Sequence, residues 1–145
     1  MRTEQRFLAD EEATEAFGAQ CATATPPGGT WLLRGELGAG KTTWTRGFIA
    51  GLGGDPDQVA SPTYAVLHRY ETPRGRLFHL DLYRLGESGG WSLGLEEQVL
   101  PSDFLVVEWA GNSGPWPTEW VAGLTLITSG AGRAAEWTLP QTAAC

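Results

Sequence analysis

RGELGAGKTT, residues 34–43, holds the only lysine in the chain, Lys41. The other nine basic residues, from Arg2 to Arg133, are all arginines. One lysine in a chain that otherwise uses arginine marks a place where a compact point charge fits and a wide planar guanidinium does not. The spacing around it gives the reason. Gly35-Glu36-Leu37-Gly38-Ala39-Gly40-Lys41-Thr42 matches G-x-x-x-x-G-K-[ST] at every fixed position. In that pattern the glycines let backbone N–H groups turn inward around phosphate oxygens, and the following helix offers its positive N-terminal end. The lysine reaches the β- and γ-phosphates, and the next hydroxyl, here Thr42, binds Mg2+. The pattern needs a strand before it and a helix after it, and the chain supplies TWLLR at 30–34 and TTWTRGFIAGL at 42–52. Residues 35–43, Thr43 included, are the expected phosphate cradle.

Working outward, residues 10–24 read as a helix: Asp10 is a good N-cap, acids fill the first turn, and Ala13, Phe17, Cys21 and Ala24 recur at helical spacing. PPGG at 26–29 ends it, and Gly53-Gly54 closes the helix after the cradle. TYAVLHRYE at 63–71 and RLFHLDLYR at 76–84 alternate as strands across the turn residues TPRG. SLGLEEQVL at 92–100 suggests a short helix stopped at Pro101, and FLVVEW at 104–109 is an apolar strand. After a loop at 111–120, residues 121–128 and 134–139 form a hairpin across SGAGR. The fold expected is α/β: one three-layer P-loop domain over 1–145, with a mostly parallel central sheet plus antiparallel strands.

A chain of 145 residues suits a single domain. At that length folding buries roughly 68–70% of the unfolded surface, enough for a core without disulfides. The two cysteines, Cys21 and Cys145, make neither a disulfide framework nor a zinc pattern. MRTEQRFLADEEATEAF is too often charged for a signal peptide, and no apolar run approaches the roughly 18–20 residues that span a bilayer. The expectation is a cytoplasmic protein with no membrane partner. A formal net charge of −7 argues against a broad nucleic-acid footprint, which needs clustered Lys and Arg. Any nucleic acid is expected to be held by another chain.

A P-loop site needs a carboxylate at the end of a neighbouring strand. Two strands end in one: Asp81 after LFHL, and Glu108 after FLVV. One is expected beside Mg2+ and the other near the attacking water. Ser61-Pro62-Thr63-Tyr64 stands where a switch segment would follow the cradle helix, with Thr63 able to present a hydroxyl to the γ-phosphate or metal. His68 and His79 read as packing or hydrogen-bonded residues on strand faces, and Trp109 adjoins a proposed metal ligand. Reading guanine takes Asn-Lys-x-Asp, which a chain whose sole lysine is Lys41 cannot contain, so ATP is the expected nucleotide. A small-molecule kinase is the alternative. Arg69, Arg74, Arg76 and Arg84 offer cations for a second phosphate, but no lid insertion and little spare chain are present to build a substrate pocket.

GELGAGKTT, SPTY, HLDLYRL at 79–85, LGLEE at 93–97 and VEW at 107–109 together resemble the bacterial TsaE family in order and spacing. The similarity runs from DEEAT at 10–14 to GR at 132–133. It implies the ATPase component of the machinery forming N6-threonylcarbamoyladenosine (t6A) at position 37 of tRNAs that read codons beginning with A. It also implies TsaB and TsaD as partners, with tRNA reached only indirectly through the complex. Carried over residue by residue, Lys41 and Thr42 bind phosphate and Mg2+, Asp81 is needed for hydrolysis, Glu108 is a metal ligand, and Trp109 lies near the nucleotide. Glu11 and Arg133 approach the nucleotide in the same comparison. No arginine finger stands out, Arg84 being the nearest candidate, so hydrolysis by the isolated chain is expected to be slow. After DLYRL this chain runs GESGGWS, where family members carry an acidic, proline-containing segment.

Overall fold

Among the described residues, seven strands and two α-helices come from a sequence whose apolar residues alternate in some stretches and recur every three to four residues in others. The structure, a computed structural model, describes residues 2–36, 39–59, 67–81, 98–108 and 116–140. The elements in chain order are β1 (Arg2–Leu8), α1 (Glu11–Ala24), β2 (Thr30–Gly35), α2 (Lys41–Gly51), a 3-10 turn (Pro56–Gln58), β3 (Leu67–Thr72), β4 (Gly75–Asp81), β5 (Phe104–Glu108), β6 (Val121–Ser129) and β7 (Gly132–Leu139). They form one sheet in the order β1-β7-β6-β2-β5-β4-β3. Its centre is parallel, with β2 between β5 and β6 and β4 beside β5. Antiparallel pairs flank it: β3 with β4 on one side, and β6 with β7 and β7 with β1 on the other. The α/β class and the parallel core with antiparallel additions are as expected.

Both helices stop and start where local chemistry requires. Asp10 is extended and its side chain accepts from Ala13 N at 2.8 Å, capping α1, while Glu11 and Glu12 sit at the positive end of the helix dipole. At the other end Arg74 donates to the carbonyls of Ala22 (2.8 Å) and Thr25 (3.0 Å), answering acceptors that the last turn leaves open. Helix α2 closes at Gly53, φ 86°, with Gly53 N to Ala50 O and Gly54 N to Ile49 O both at 2.9 Å, the Schellman arrangement.

The two helices cover the same sheet face. Phe17 and Cys21 of α1 and Trp44, Phe48 and Ile49 of α2 pack with Trp31, Leu33, Leu77, Phe104, Val106 and Trp137 in one buried cluster. The backbones touch. A Cβ at Gly47 would stand 1.8 Å from Glu15 O, and one at Gly18 2.1 Å from Trp44 O. The opposite face holds a smaller cluster of Phe78, Leu80, Leu105 and Val107, against which Val99 and Trp116 pack. Asp103 fixes the approach to β5 by accepting from Arg76 at 2.6 and 3.0 Å and from Leu100 N at 2.8 Å.

One element is unexpected. Residues 2–8 form an edge strand on β7, although RTEQRFL buries only Leu8. The expected strand ends at 63–66 and 82–84, and most of the helix expected over 92–100, lie outside the described residues. Among the described residues no helix is long and apolar enough to cross a membrane.

Candidate nucleotide-binding site

Three parallel strands, β2, β5 and β4, end side by side. Leu33 of β2 is in register with Glu108 of β5, and Glu108 with Asp81 of β4, so both acids end their strands two residues short of the level of Gly35. Ligands of parallel α/β sheets bind beyond these carboxyl ends. Two adjacent strands that each end in an acid set those acids level with one another at this end of the sheet.

The cradle leaves β2 at Gly35 and turns at Ala39, whose N–H donates to Glu36 O at 3.0 Å. It enters α2 through Gly40 at φ 103°, a left-handed conformation that a side chain would strain. Lys41 is 6% exposed, and its ammonium donates to the carbonyls of Gly35 and, at 3.3 Å, of Glu36. The only ammonium of the chain is thereby folded back over its own loop. Thr42 and Thr43 are half-buried in the first turn of α2.

Two further elements reach this loop. A Cβ at Gly40 would lie 3.5 Å from Thr14 Cγ2 and 3.8 Å from Arg133 Nε, so the first turns of α1 and the start of β7 flank the cradle's last glycine. Arg133 Nη1 also donates to Gly132 O at 2.8 Å. Glu11 opens α1 one turn before Thr14 and is exposed.

Glu108 is 3% exposed, and a carboxylate that deep is costly unless hydrogen-bonded. Its Oε2 lies 2.6 Å from His79 Nε2, and His79 is equally buried. A carboxylate that is ionised only accepts, and opposite one the donor of this bond is Nε2–H. His79 of β4 is in register with Val106, two residues before Glu108 on β5, so His79 and Glu108 share one face of the sheet. His68 of β3 pairs with His79 across the strands, their ring centroids 6.4 Å apart.

Of the residues expected at the site, Gly35, Glu36, Ala39, Gly40, Lys41, Thr42 and Thr43 form the loop and its helix, and Arg133 adjoins it. Asp81 and Glu108 end neighbouring strands at the same edge. Leu37, Gly38, Thr63, Arg84 and Trp109 lie outside the described residues. Sequence reasoning missed Thr14, which only the folded approach of α1 brings to Gly40. It placed His79 on a strand face as a hydrogen-bonded residue without a partner; the two-residue spacing from Asp81 was the available signal. The oxygen donors here, a threonine hydroxyl and strand-end carboxylates, suit a hard divalent cation such as Mg2+.

Comparison with known proteins identifies a family. The family model described as "Threonylcarbamoyl adenosine biosynthesis protein TsaE" matches residues 8–133. A Rickettsia bellii protein named tRNA threonylcarbamoyladenosine biosynthesis protein TsaE is 37% identical over 111 residues, 76% of this chain and 76% of that one. Its namesake from Nostoc sp. is 34% identical over 137 residues, 91% of this chain and 83% of the relative. The Bacillus subtilis protein of that name is 40% identical over 99 residues, 68% of this chain and 61% of the relative. Among solved structures, Bacillus subtilis YdiB superposes with a TM-score of 0.73 and 26% identity, covering 95% of this chain and 86% of that one.

Proposed function

This chain belongs to the TsaE family of threonylcarbamoyl adenosine biosynthesis proteins, and from that premise we propose that it is the Mg2+-dependent ATPase of bacterial t6A formation, working with TsaB and TsaD in the cytoplasm. The observation that carries this reading is the register that sets Asp81 and Glu108 at the strand edge beside a cradle built around Lys41.

The roles follow from the chemistry of each group. Lys41 leaves its two loop carbonyls for the β- and γ-phosphate oxygens and, with the cradle N–H groups, neutralises the charge that grows on the β,γ-bridge. When bound, Mg2+ supplies further charge neutralisation on the phosphates. Thr42 and Glu108 would hold it, since both offer oxygen. Asp81 orients the attacking water, and Thr63 senses the γ-phosphate. Arg133, against Gly40, and Trp109 border the nucleotide, with Glu11 at the near end of α1. TsaD handles the tRNA, which suits a chain of net charge −7.

Reconstitution tests this directly. With tRNA, TsaB, TsaD and this chain, t6A accumulates over many turnovers, and Lys41→Ala lowers the rate by at least about 100-fold, the scale of losing a transition-state charge contact. Undiminished t6A without the chain, or with Lys41→Ala, contradicts the proposal. ATP-dependent phosphorylation of a metabolite in the same mixture would move the chain to a small-molecule kinase.

A further inference from the structure

We propose that His79 is a positioning residue for the metal site: its Nε2–H holds the Glu108 carboxylate by one oxygen and presents the other to the divalent cation. The inference rests on the reading above that Glu108 is a metal ligand.

The geometry makes the case. His79 and Glu108 are each 3% exposed and meet at 2.6 Å, the range of a charge-assisted hydrogen bond. The pair bridges two parallel strands whose ends form the site, with Asp81 directly opposite Glu108 in the ladder. A glutamate side chain has three rotatable bonds, and nothing else described around Glu108 donates to it. Bonding Oε2 to a ring that is itself packed beside His68 fixes those torsions and leaves Oε1 as the oxygen available for the cation or a water it carries. Groups that hydrogen-bond a ligating side chain orient it and alter its basicity, and their loss typically weakens metal binding by about 10–100-fold. Glu108 ends β5 two residues short of the level of Gly35, where the cradle begins.

The test reads metal affinity without turnover. Mn2+ binding to the complex of the full chain with ADP is followed by electron paramagnetic resonance for the wild type, His79→Leu, His79→Gln and Glu108→Gln. His79→Leu, similar in volume but with no donor, is expected to weaken Mn2+ binding by about 10–100-fold while ADP affinity in EDTA holds. His79→Gln keeps an N–H at the reach of Nε2 and should restore most of the loss. If His79→Leu does not fold, His79→Asn takes its place, since its shorter amide keeps a polar group but falls short of Glu108. Unchanged Mn2+ affinity in His79→Leu, or in His79→Asn where that replaces it, beside a normal loss in Glu108→Gln, overturns the role of His79 alone. A flat response in Glu108→Gln overturns the metal reading and this inference with it.

Discussion

Lys41 and Glu108 show two ways in which a single residue carries the site. Lys41 is legible in the sequence because its partners are its chain neighbours: six residues separate it from Gly35, and the loop that cradles phosphate also holds the ammonium. Glu108 is legible only as one of two strand-end acids, because its environment comes from β2 and β4, far away in the chain. His79 could be placed on a strand face but not given a partner for the same reason, and Thr14, although inside the DEEAT stretch of the resemblance, had no contact assigned until the fold set it beside Gly40. The division of labour between the acids is a residue-scale prediction. Glu108→Gln should raise the Mg2+ concentration needed for half-maximal hydrolysis by about tenfold or more, as expected when a ligating charge is removed. Asp81→Asn should lower kcat with little change in that concentration. Titrations of Mg2+ at saturating ATP compare them, and the reverse pattern would exchange the two roles.

The packing of α1 on α2 brings the cradle helix within reach of Thr14, and glycines permit it. Gly47 lies against Glu15 O and Gly18 against Trp44 O, so neither accepts a methyl without moving a backbone. Gly47→Ala should cost at least about 2 kcal/mol, an overpacking penalty, and lower Tm by several degrees. Gly123→Ala is the control, since nothing lies within 4 Å of the added atom. Calorimetry on both variants decides it, and a Gly47→Ala protein as stable as the control would refute the close approach. The helices and central strands could be read beforehand because capping and periodicity are local: Asp10, Gly53 and the alternating apolar residues mark their own elements. Strand β1 could not, because RTEQRFL is polar on both faces. Its pairing with β7 joins residues such as Arg6 and Ala135, and Arg6 then lies over Phe17 and Trp137 at 5.0 and 5.4 Å. Only the distant partner makes that segment a strand.

At the scale of the whole molecule, the chain has a phosphate cradle, strand-end acids and a strongly acidic balance, but among the described residues no arginine stands out as a finger for the transition state. Arg133 lies beside the cradle's last glycine, and Arg74 and Arg76 are committed to carbonyls at the end of α1 and to Asp103. Function was legible at this scale because five motifs fall in the family's order across 8–133, a constellation far more specific than the cradle alone. What a motif string cannot convey is which surface meets the partners, since that depends on side chains brought together by folding. Under the proposed function, TsaB and TsaD supply catalytic help to this chain. Steady-state ATP hydrolysis with Mg2+, by this chain alone and then with TsaB and TsaD added, tests that claim most directly. The account predicts slow turnover alone and at least about tenfold stimulation by the pair, within the range that catalytic help supplied by a partner can give. A rate that stays flat while nucleotide still binds would contradict it.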